Sequence, residues 1–231
     1  MSGKLLKQVL LILLGYLCGS VSFAYLAGRL GRAIDLRRYG SRKLSASNAY
    51  TFLGFGGLAL VGILDIAKAV WPTWLSIRLG YELAVTVWVG LAAMAGHNWP
   101  LFLGFKGGRG ISTALGALLC IFPWGVFWML GWVAVGRLMP HAAAGPALLG
   151  FMSLPLFAAL LGQPSATVWG CLGMLLLTVL KRLEGNRQPL PPHERAWRVF
   201  WRRLVLDRDI ADFEVWVHHT PNANERPARA H

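Results

Sequence analysis

Acidic residues are scarce through most of this sequence. Residues 1–183 contain only Asp35, Asp65 and Glu82 as carboxylates, against 15 Lys and Arg residues. That stretch therefore offers no paired-carboxylate site, no His/Cys metal cluster, and no recognisable nucleophile beside a base and an orienting group. The three cysteines are scattered through apolar segments without metal-binding or redox spacing. Proton-coupled transporters and metalloenzymes usually depend on such groups, so the sequence disfavours both classes and predicts no metal.

Charge of either sign is also scarce. Only 14% of the residues are charged and 55% are hydrophobic, whereas a soluble domain carries about 25% charged residues. Apolar runs long enough to cross a bilayer recur along the chain. They cover residues 5–27, 51–77, 83–105, 142–161 and 167–183. We therefore predict an all-α polytopic membrane protein.

The number of crossings depends on residues 111–138, which contain Pro123 and Gly125. This stretch is either one kinked helix or two short helices. Loop 29–43 has six Lys and Arg residues against one Asp, so the positive-inside rule places it in the cytoplasm. Two helices then also put the basic residues 181–187 inside. This count predicts about seven crossings and an outside N-terminus, although Lys4 and Lys7 conflict mildly with that side.

Residues 184–220 are expected to form a cytoplasmic tail, and 221–231 to be disordered. The segment "HERAWRVFWRRLVL" (193–206) has aromatic and aliphatic residues at helical spacing and arginines on the other side. It predicts an amphipathic helix that either lies on the cytoplasmic leaflet or docks on the protein itself. The cationic excess fits the positive-inside rule and also anion handling. No nucleic-acid recognition module is present, so no nucleic-acid partner is expected.

Two features concern residues inside or beside an apolar run. Asp65 and Lys68 are three residues apart, which predicts an ion pair on one helix face. A charged pair there is either a structural feature or a functional one. Asn48 is expected to cap the start of this helix, a common role for Asn.

The stretch "GHNWPLFLGFKGGRGIS" (96–112) interrupts the apolar pattern. Three closely spaced glycines precede a predicted helix, whose first N–H groups are unpaired. Together with Lys106 and Arg109 they can form an anion-binding nest. The alternative is a simple tight turn, but the nearby His97 and Asn98 favour a binding site.

A second glycine-containing loop reads "GSRKLSASN" (40–48) and lies on the same predicted side. Both loops can therefore converge on one phosphate-bearing ligand. If the substrate is an acyl phosphate, an alcohol can attack its carbonyl carbon, and fixed cations can stabilise the leaving phosphate. The acyl chain would lie in the bilayer. Such chemistry needs no carboxylate from the protein.

The segment "GHNWPLFLGFKGGRG" resembles the pattern G-H-N-F-P-x-F-x-x-F-x-G-G-K-G of the bacterial acyl-phosphate:glycerol-3-phosphate acyltransferases, with Arg109 in place of the usual lysine. The segments "GSVSFAYLAGRL", "IDLRRYGS" and "LDIAKA" extend the resemblance over residues 15–185. It implies seven transmembrane helices in the bacterial inner membrane, a cytoplasmic active site, no cofactor, and lysophosphatidic acid as product.

Three other motifs depart from the family pattern. "GSRKLSASN" resembles G-S-G-N-x-G-x-T-N but has lost two glycines and an asparagine, while "PHAAAG" after Arg137 lacks the family's serines. "LLTVLKRLEGN" lacks a histidine and an asparagine of the last motif. These losses fall on the expected acceptor side. They leave open a divergent relative with another acceptor, a non-catalytic protein binding anionic lipid, or replacement of the lost ligands by Arg42, Lys43 and His141. A small-anion transporter is disfavoured because no internal repeat is visible.

The resulting prediction names acyl phosphate, glycerol 3-phosphate and the lipid bilayer as partners. The residues expected to be catalytic are Ser41, His97, Lys106 and Arg109. The residues expected to bind substrate are Gly40, Ser47, Asn48, Asn98, Gly107, Gly108, Gly110, Arg137, Lys181 and Arg182.

Overall fold

The computed structural model describes residues 3–139, 144–187, 190, 194–208 and 210–221. These residues form α-helices, two short 3-10 helices and no strand, so the predicted all-α class is confirmed. The helices are α1 (Gly3–Ser20), α2 (Phe23–Arg32), α3 (Ala46–Arg78), α4 (Leu83–Asn98), α5 (Ile111–Ile121), α6 (Pro123–Leu138), α7 (Ala144–Leu160), α8 (Ser165–Leu183), α9 (Ala196–Leu206) and α10 (Phe213–Val217). Within the described residues, three helical stretches have the length and composition to cross a membrane: Gly3–Arg32, Ala46–Arg78 and Ser165–Arg187.

Two of the predicted apolar runs end differently in the structure. Residues 5–27 are not one helix, because Ser22 caps a new one: its hydroxyl accepts a hydrogen bond from the Tyr25 backbone N–H at 3.3 Å. The run 83–105 stops being α-helical at Asn98, two residues before Pro100, where a proline disfavours helix. A 3-10 turn, Leu101–Leu103, follows.

The ambiguous stretch 111–138 consists of two helices, as the charge pattern predicts. The break is at Phe122, and Pro123 occupies the first turn of α6, where its missing N–H costs nothing. Helix α5 has 11 residues and is therefore about 17 Å long. This is shorter than a typical hydrocarbon core of about 30 Å. The total of seven crossings remains a prediction.

Helices α1 and α4 run parallel and touch through glycines. Gly15 faces Val89 and Gly19 faces Ala93, so the positions advance together along both helices. A Cβ on Gly15 would lie 2.7 Å from the Val89 carbonyl oxygen. This is too close for any side chain, so the helix contact requires glycine. At the start of both helices Lys4 Nζ pairs with Glu82 Oε1 at 3.2 Å. Lys4 therefore has a local counter-charge at the end of the bundle where the topology conflict arose.

Asn48 does not cap α3, because Ser45 does: its hydroxyl accepts from the Asn48 N–H at 3.3 Å. Asn48 instead lies inside the first turn, and its buried side chain organises the preceding loop. The Oδ1 atom accepts from the Ser41 N–H at 3.1 Å. The Nδ2 atom donates to the carbonyls of Leu36, Tyr39 and Lys43.

The predicted amphipathic tail helix is α9, and it docks on the protein. Val199 is fully buried and Arg203 nearly so, whereas Trp197 and Trp201 remain more than half exposed. The docked side thus lies opposite the aromatic side, which leaves the aromatics free to meet a membrane surface. Disorder is predicted for residues 221–231, and all of these except Pro221 lie outside the described residues.

Candidate active site

A cavity of about 370 Å³ opens where four chain segments meet. The α2–α3 loop contributes Arg37, Gly40, Ser41, Arg42 and Lys43, and the α4–α5 turn contributes Lys106, Gly107 and Arg109. The end of α8 contributes Lys181, Arg182, Glu184, Gly185 and Arg187, and the tail contributes Arg203, Asp207, Arg208, Ile210, Trp216 and His219. The predicted convergence of the two glycine-containing loops is therefore confirmed.

The lining is strongly cationic. It holds ten Lys and Arg side chains but only two carboxylates, those of Glu184 and Asp207. Gathering so many like charges at a partly enclosed site is unfavourable unless an anion compensates them. The site is therefore chemically suited to a ligand with one or more phosphate groups, to which guanidinium groups bind with paired hydrogen bonds.

The α2–α3 loop is held from behind by Asn48 and from the front by the tail. Gly40 adopts a left-handed conformation (φ 59°), and a side chain there would run into Asn48 and Phe52. The Gly40 N–H donates to the His219 carbonyl at 2.7 Å. Earlier in the same loop, Arg37 Nη2 donates a hydrogen bond to Asp35 Oδ2 at 2.7 Å. Burial alone would raise the pKa of Asp35, but the hydrogen bonds and charge of Arg37 outweigh it and lower that pKa.

The α4–α5 turn places its residues on two levels. Lys106, Gly107 and Arg109 line the cavity. Gly108 and Gly110 are buried behind it. Gly110 has a left-handed backbone (φ 74°) at the start of α5. A Cβ on Gly108 would collide with the Leu44 carbonyl oxygen and the His97 ring, 2.8 Å from Cε1. The glycines thus permit a close approach of turn, loop and helix.

His97 belongs to a buried charged cluster beneath this turn. Lys68 Nζ lies 2.9 Å from Asp65 Oδ1, 3.0 Å from His97 Nδ1 and 2.7 Å from the Val21 carbonyl oxygen. The predicted Asp65–Lys68 ion pair is therefore confirmed. Because an ammonium group only donates, Nδ1 of His97 accepts and its proton is assigned to Nε2. His97 is not among the cavity-lining residues.

Asp207 lies at the centre of the cationic lining. Its carboxylate meets Arg109 through two contacts, Nε to Oδ2 at 2.9 Å and Nη2 to Oδ1 at 2.8 Å. Lys43 Nζ is 2.7 Å from Oδ2 and also donates to the Asp207 carbonyl oxygen. Burial alone would raise the pKa of Asp207, but the charges of Arg109, Lys43 and Arg182 keep it below its usual value. The carboxylate is thus ionised.

Lys43 is perturbed in the opposite sense. Burial is the largest cause and lowers its pKa from 10.5 to about 7, although Asp207 acts to raise it. The nearby guanidinium groups of Arg109 and Arg182 lower it further. The charge of this lysine therefore depends on pH near neutrality and on which anion faces it.

The predicted site residues divide into three groups. Those in the cavity lining are Gly40, Ser41, Lys106, Gly107, Arg109, Lys181 and Arg182. Those buried behind it are Asn48, His97, Asn98, Gly108 and Gly110. Ser47 and Arg137 are exposed and outside the lining, and His141 lies outside the described residues.

The two α8 cations are already engaged. Lys181 Nζ pairs with Glu184 Oε2 at 2.6 Å. Arg182 donates to the carbonyls of Leu204 and Val205 at 2.8 and 3.0 Å. A cation at these carbonyls also complements the negative end of a helix. Arg182 therefore holds the tail helix in place as well as lining the cavity.

The tail contribution was missed by the sequence analysis. Asp207, Arg208, Trp216 and His219 follow the amphipathic helix, but no periodicity or motif joins them to residues 40–43 or 106–109. One clue was available: residues 184–231 hold 7 of the 10 acidic residues. A carboxylate able to enter a cationic site could come mainly from there.

Comparisons with known proteins identify the family that this chain resembles. Residues 9–189 match the family described as Glycerol-3-phosphate acyltransferase. The chain is 39% identical over 227 residues to "Glycerol-3-phosphate acyltransferase 5" of Dehalococcoides mccartyi (strain ATCC BAA-2266 / KCTC 15142 / 195), covering 95% of each chain. It is 39% identical over 160 residues to the Glycerol-3-phosphate acyltransferase of Synechococcus sp. (strain CC9902), covering 69% of this chain and 76% of the relative.

The fold is also similar to a solved structure. The crystal structure of PlsY (YgiH), an integral membrane glycerol 3-phosphate acyltransferase in its glycerol 3-phosphate form, superposes with a TM-score of 0.71 at 28% identity. It covers 78% of this chain and 90% of that chain. The lysophosphatidic acid form of the same protein gives a TM-score of 0.69 at 26% identity.

Proposed function

This chain belongs to the glycerol-3-phosphate acyltransferase family, and from that premise we propose that it transfers a fatty acyl group from acyl phosphate to glycerol 3-phosphate, giving lysophosphatidic acid. The observation that carries the proposal is the cavity where the α2–α3 loop and the α4–α5 turn bring their cations together. It lies at one end of an apolar helix bundle, so a phosphate can bind there while an acyl chain extends along lipid-facing helices.

Arg109, Lys106 and the Gly107 backbone are proposed to hold the donor phosphate. Arg109 has the planar fork that matches phosphate oxygens. Its Nη1 atom donates to the Lys181 carbonyl at 2.7 Å, which orients the guanidinium group. Ser41 lines the same cavity and can donate its hydroxyl hydrogen to a phosphate oxygen.

The chemistry then needs positioning and charge stabilisation rather than a strong base. The acceptor hydroxyl oxygen forms a bond to the acyl carbon, and the bond between that carbon and the phosphate oxygen breaks. The leaving phosphate takes the electron pair, stabilised by the cations, and can accept the acceptor's proton. Glu184 and Asp207 are the carboxylates of the described lining, and both are ion-paired. Neither is therefore proposed as the base.

His97, Asn98 and Asn48 are proposed to position the site from behind. The His97 backbone carbonyl accepts from the Gly108 N–H at 3.1 Å, and its ring occupies the space beside Gly108. Asn48 holds the α2–α3 loop in shape. On the acceptor side, Arg42 and Lys43 line the cavity. They are proposed, with Lys181 and Arg182, to take over from the ligands missing in the family motifs.

The integral membrane nature of the PlsY neighbour agrees with a multi-pass membrane protein. We propose that the chain lies in the bacterial inner membrane with its N-terminus outside and the cavity in the cytoplasm. Two observations support this orientation: cavity-lining cations come from three regions that the charge pattern assigns to the inside, and α1 and α4 run parallel. A reporter fused to the C-terminus should signal from the cytoplasm, and a periplasmic signal would refute it.

The test of function uses purified protein in nanodiscs with palmitoyl phosphate and labelled glycerol 3-phosphate. Lysophosphatidic acid should form, and Arg109→Ala should reduce kcat/KM by about a hundredfold or more. Arg78→Ala is the matched control, because Arg78 is exposed at the last residue of α3 and does not line the cavity. Phosphate release without lysophosphatidic acid would indicate another acceptor. Absence of turnover and of acyl phosphate binding would contradict the proposal.

A further inference from the structure

The strongest unexplained feature of the site is the carboxylate of Asp207. It comes from the tail, beyond residues 9–189 that match the family. It nevertheless takes up donors of both Arg109 and Lys43, with contacts of 2.7 to 2.9 Å. A carboxylate held by a forked guanidinium and an ammonium group has the same kind of hydrogen-bond donors around it as a bound phosphate.

The structure of the tail positions the Asp207 carboxylate in the cavity. Helix α9 ends at Leu206, and Asp207 caps it with a left-handed backbone (φ 54°). A residue other than glycine pays a conformational cost there. Arg182 holds the last turn of α9 by its carbonyls. The carboxylate is thus placed by a helix end anchored on α8.

The same tail closes over the α2–α3 loop. The Lys43 ammonium lies 4.8 Å from the centre of the Trp216 ring. Arg42 Nη2 lies 2.9 Å from His219 Nε2, and the Gly40 N–H bonds to the His219 carbonyl. Trp216 and His219 therefore lie over the α2–α3 loop beside Lys43, one of the two residues that Asp207 pairs with.

We propose that the Asp207 carboxylate occupies the phosphate-binding site when no substrate is bound. It pairs there with Arg109 and Lys43 until the phosphate group of a substrate displaces it and the tail moves away. The inference rests on the proposed function for the identity of the substrate, but not for the displacement itself. Asp207 then lowers the apparent affinity for phosphate-bearing ligands, because only the fraction of molecules whose phosphate-binding site is free of Asp207 can bind them.

The excess of cations explains why a phosphate group can displace the Asp207 carboxylate. A phosphate monoester carries nearly two negative charges and three acceptor oxygens, whereas Asp207 offers one charge and two oxygens. The ten-to-two charge imbalance of the lining favours the more highly charged anion. Ligands with a single weak charge should displace Asp207 poorly, so the tail also discriminates by charge.

The first test measures backbone hydrogen exchange in the full-length protein in nanodiscs, with and without saturating inorganic phosphate, at matched ionic strength. Displacement predicts faster exchange at residues 207–219 when phosphate binds. Slower or unchanged exchange there would overturn the proposal, since it would mean that the tail clamps onto the ligand or does not respond. This measurement needs no variant and no turnover, so it separates failure of this inference from failure of the proposed acyl transfer.

The second test compares Asp207→Asn with Glu214→Gln by calorimetric titration with inorganic phosphate and by steady-state kinetics. Asp207→Asn should bind phosphate at least about tenfold more tightly and lower KM without lowering kcat. Glu214→Gln removes one charge from the same tail at an exposed position and should change neither value. Weaker, equal or undetectable phosphate binding by Asp207→Asn, or a fall in kcat with unchanged KM, would show a purely structural role and overturn the proposal.

Discussion

Two clusters within the described residues bring a lysine together with an aspartate, and they differ in what surrounds them. In the interior cluster (Asp65, Lys68, His97), every ammonium contact is internal and all three side chains are buried. In the cavity cluster (Lys43, Arg109, Asp207), the ion pairs line an opening with a large excess of cations. The first cluster is compensated within itself, whereas the second still favours an additional anion. The same chemistry therefore stabilises structure in one place and prepares a binding site in the other.

The interior cluster should show the largest effect on stability. Lys68→Met leaves the Asp65 carboxylate buried without its cation, which should lower the free energy of unfolding by about 3–5 kcal/mol. Thermal unfolding in detergent micelles, followed by tryptophan fluorescence, measures the change. The double variant Asp65→Leu/Lys68→Met should recover much of the loss. A double variant no more stable than Lys68→Met would contradict the idea that the charge is compensated locally.

Gly108 contacts both His97 of the interior cluster and Leu44, the neighbour of Lys43 in the cavity cluster. A substitution at Gly108 therefore shows whether the two clusters depend on this close packing. Gly108→Ala forces a methyl group against His97 and the Leu44 carbonyl, which should destabilise the protein by about 1–3 kcal/mol and reduce acyl transfer. Gly56→Ala is the matched control, since a Cβ there meets nothing within 4 Å. Equal behaviour of the two variants in thermal unfolding and activity assays would show that the close approach at Gly108 is unimportant.

Lys43 should make ligand binding depend on pH. With its pKa lowered to about 7, it loses its charge as the pH rises through neutrality. One charge-assisted contact is worth about 1.5–3 kcal/mol, so phosphate affinity should fall roughly tenfold or more between pH 6 and pH 9 relative to that of Lys43→Arg at the same pH. The comparison with Lys43→Arg is needed because phosphate gains negative charge over this range, whereas arginine stays protonated. A titration series of phosphate binding checks both, and an equally steep fall in Lys43→Arg would assign the titration to another group.

The stability effect of Lys43 has the opposite sign. Between pH 7 and the ordinary lysine pKa of 10.5 the unfolded chain binds more protons than the folded one. The unfavourable contribution of the buried charge is complete below about pH 7 and diminishes as the pH rises. Unfolding free energy should therefore increase over this range relative to Lys43→Arg, while phosphate affinity decreases. Parallel changes of the two quantities would contradict the assignment.

The smallest effect is expected at Arg137. It was predicted to bind substrate, but it is exposed at the end of α6 and outside the cavity lining. Arg137→Ala should change kcat/KM by no more than about twofold, in line with surface substitutions of about 0.5 kcal/mol. A loss comparable to that of Arg109→Ala would extend the site beyond the cavity.

The ease of predicting each cluster follows from sequence separation. Asp65 and Lys68 are one helical turn apart, so periodicity alone predicts their pairing, and His97 lies in the motif that begins the next loop. Lys43 and Asp207 are 164 positions apart, and Arg109 and Asp207 are 98 apart. No local pattern relates such residues. The role of Asn48 was also beyond prediction, because its side chain reaches three carbonyls of a loop whose shape is not encoded by spacing.

The sequence by itself determined the all-α class, the break at Pro123, the Asp65–Lys68 pair and the meeting of two cationic loops. Hydrophobic runs, proline and positive charge act locally or through the bilayer, so their consequences can be read along the chain. Only the tertiary structure decided that the tail returns to the cavity and that Asp207 enters it. That outcome depends on the docking of α9 against α7 and α8, and on a charge balance that exists only once distant segments are brought together.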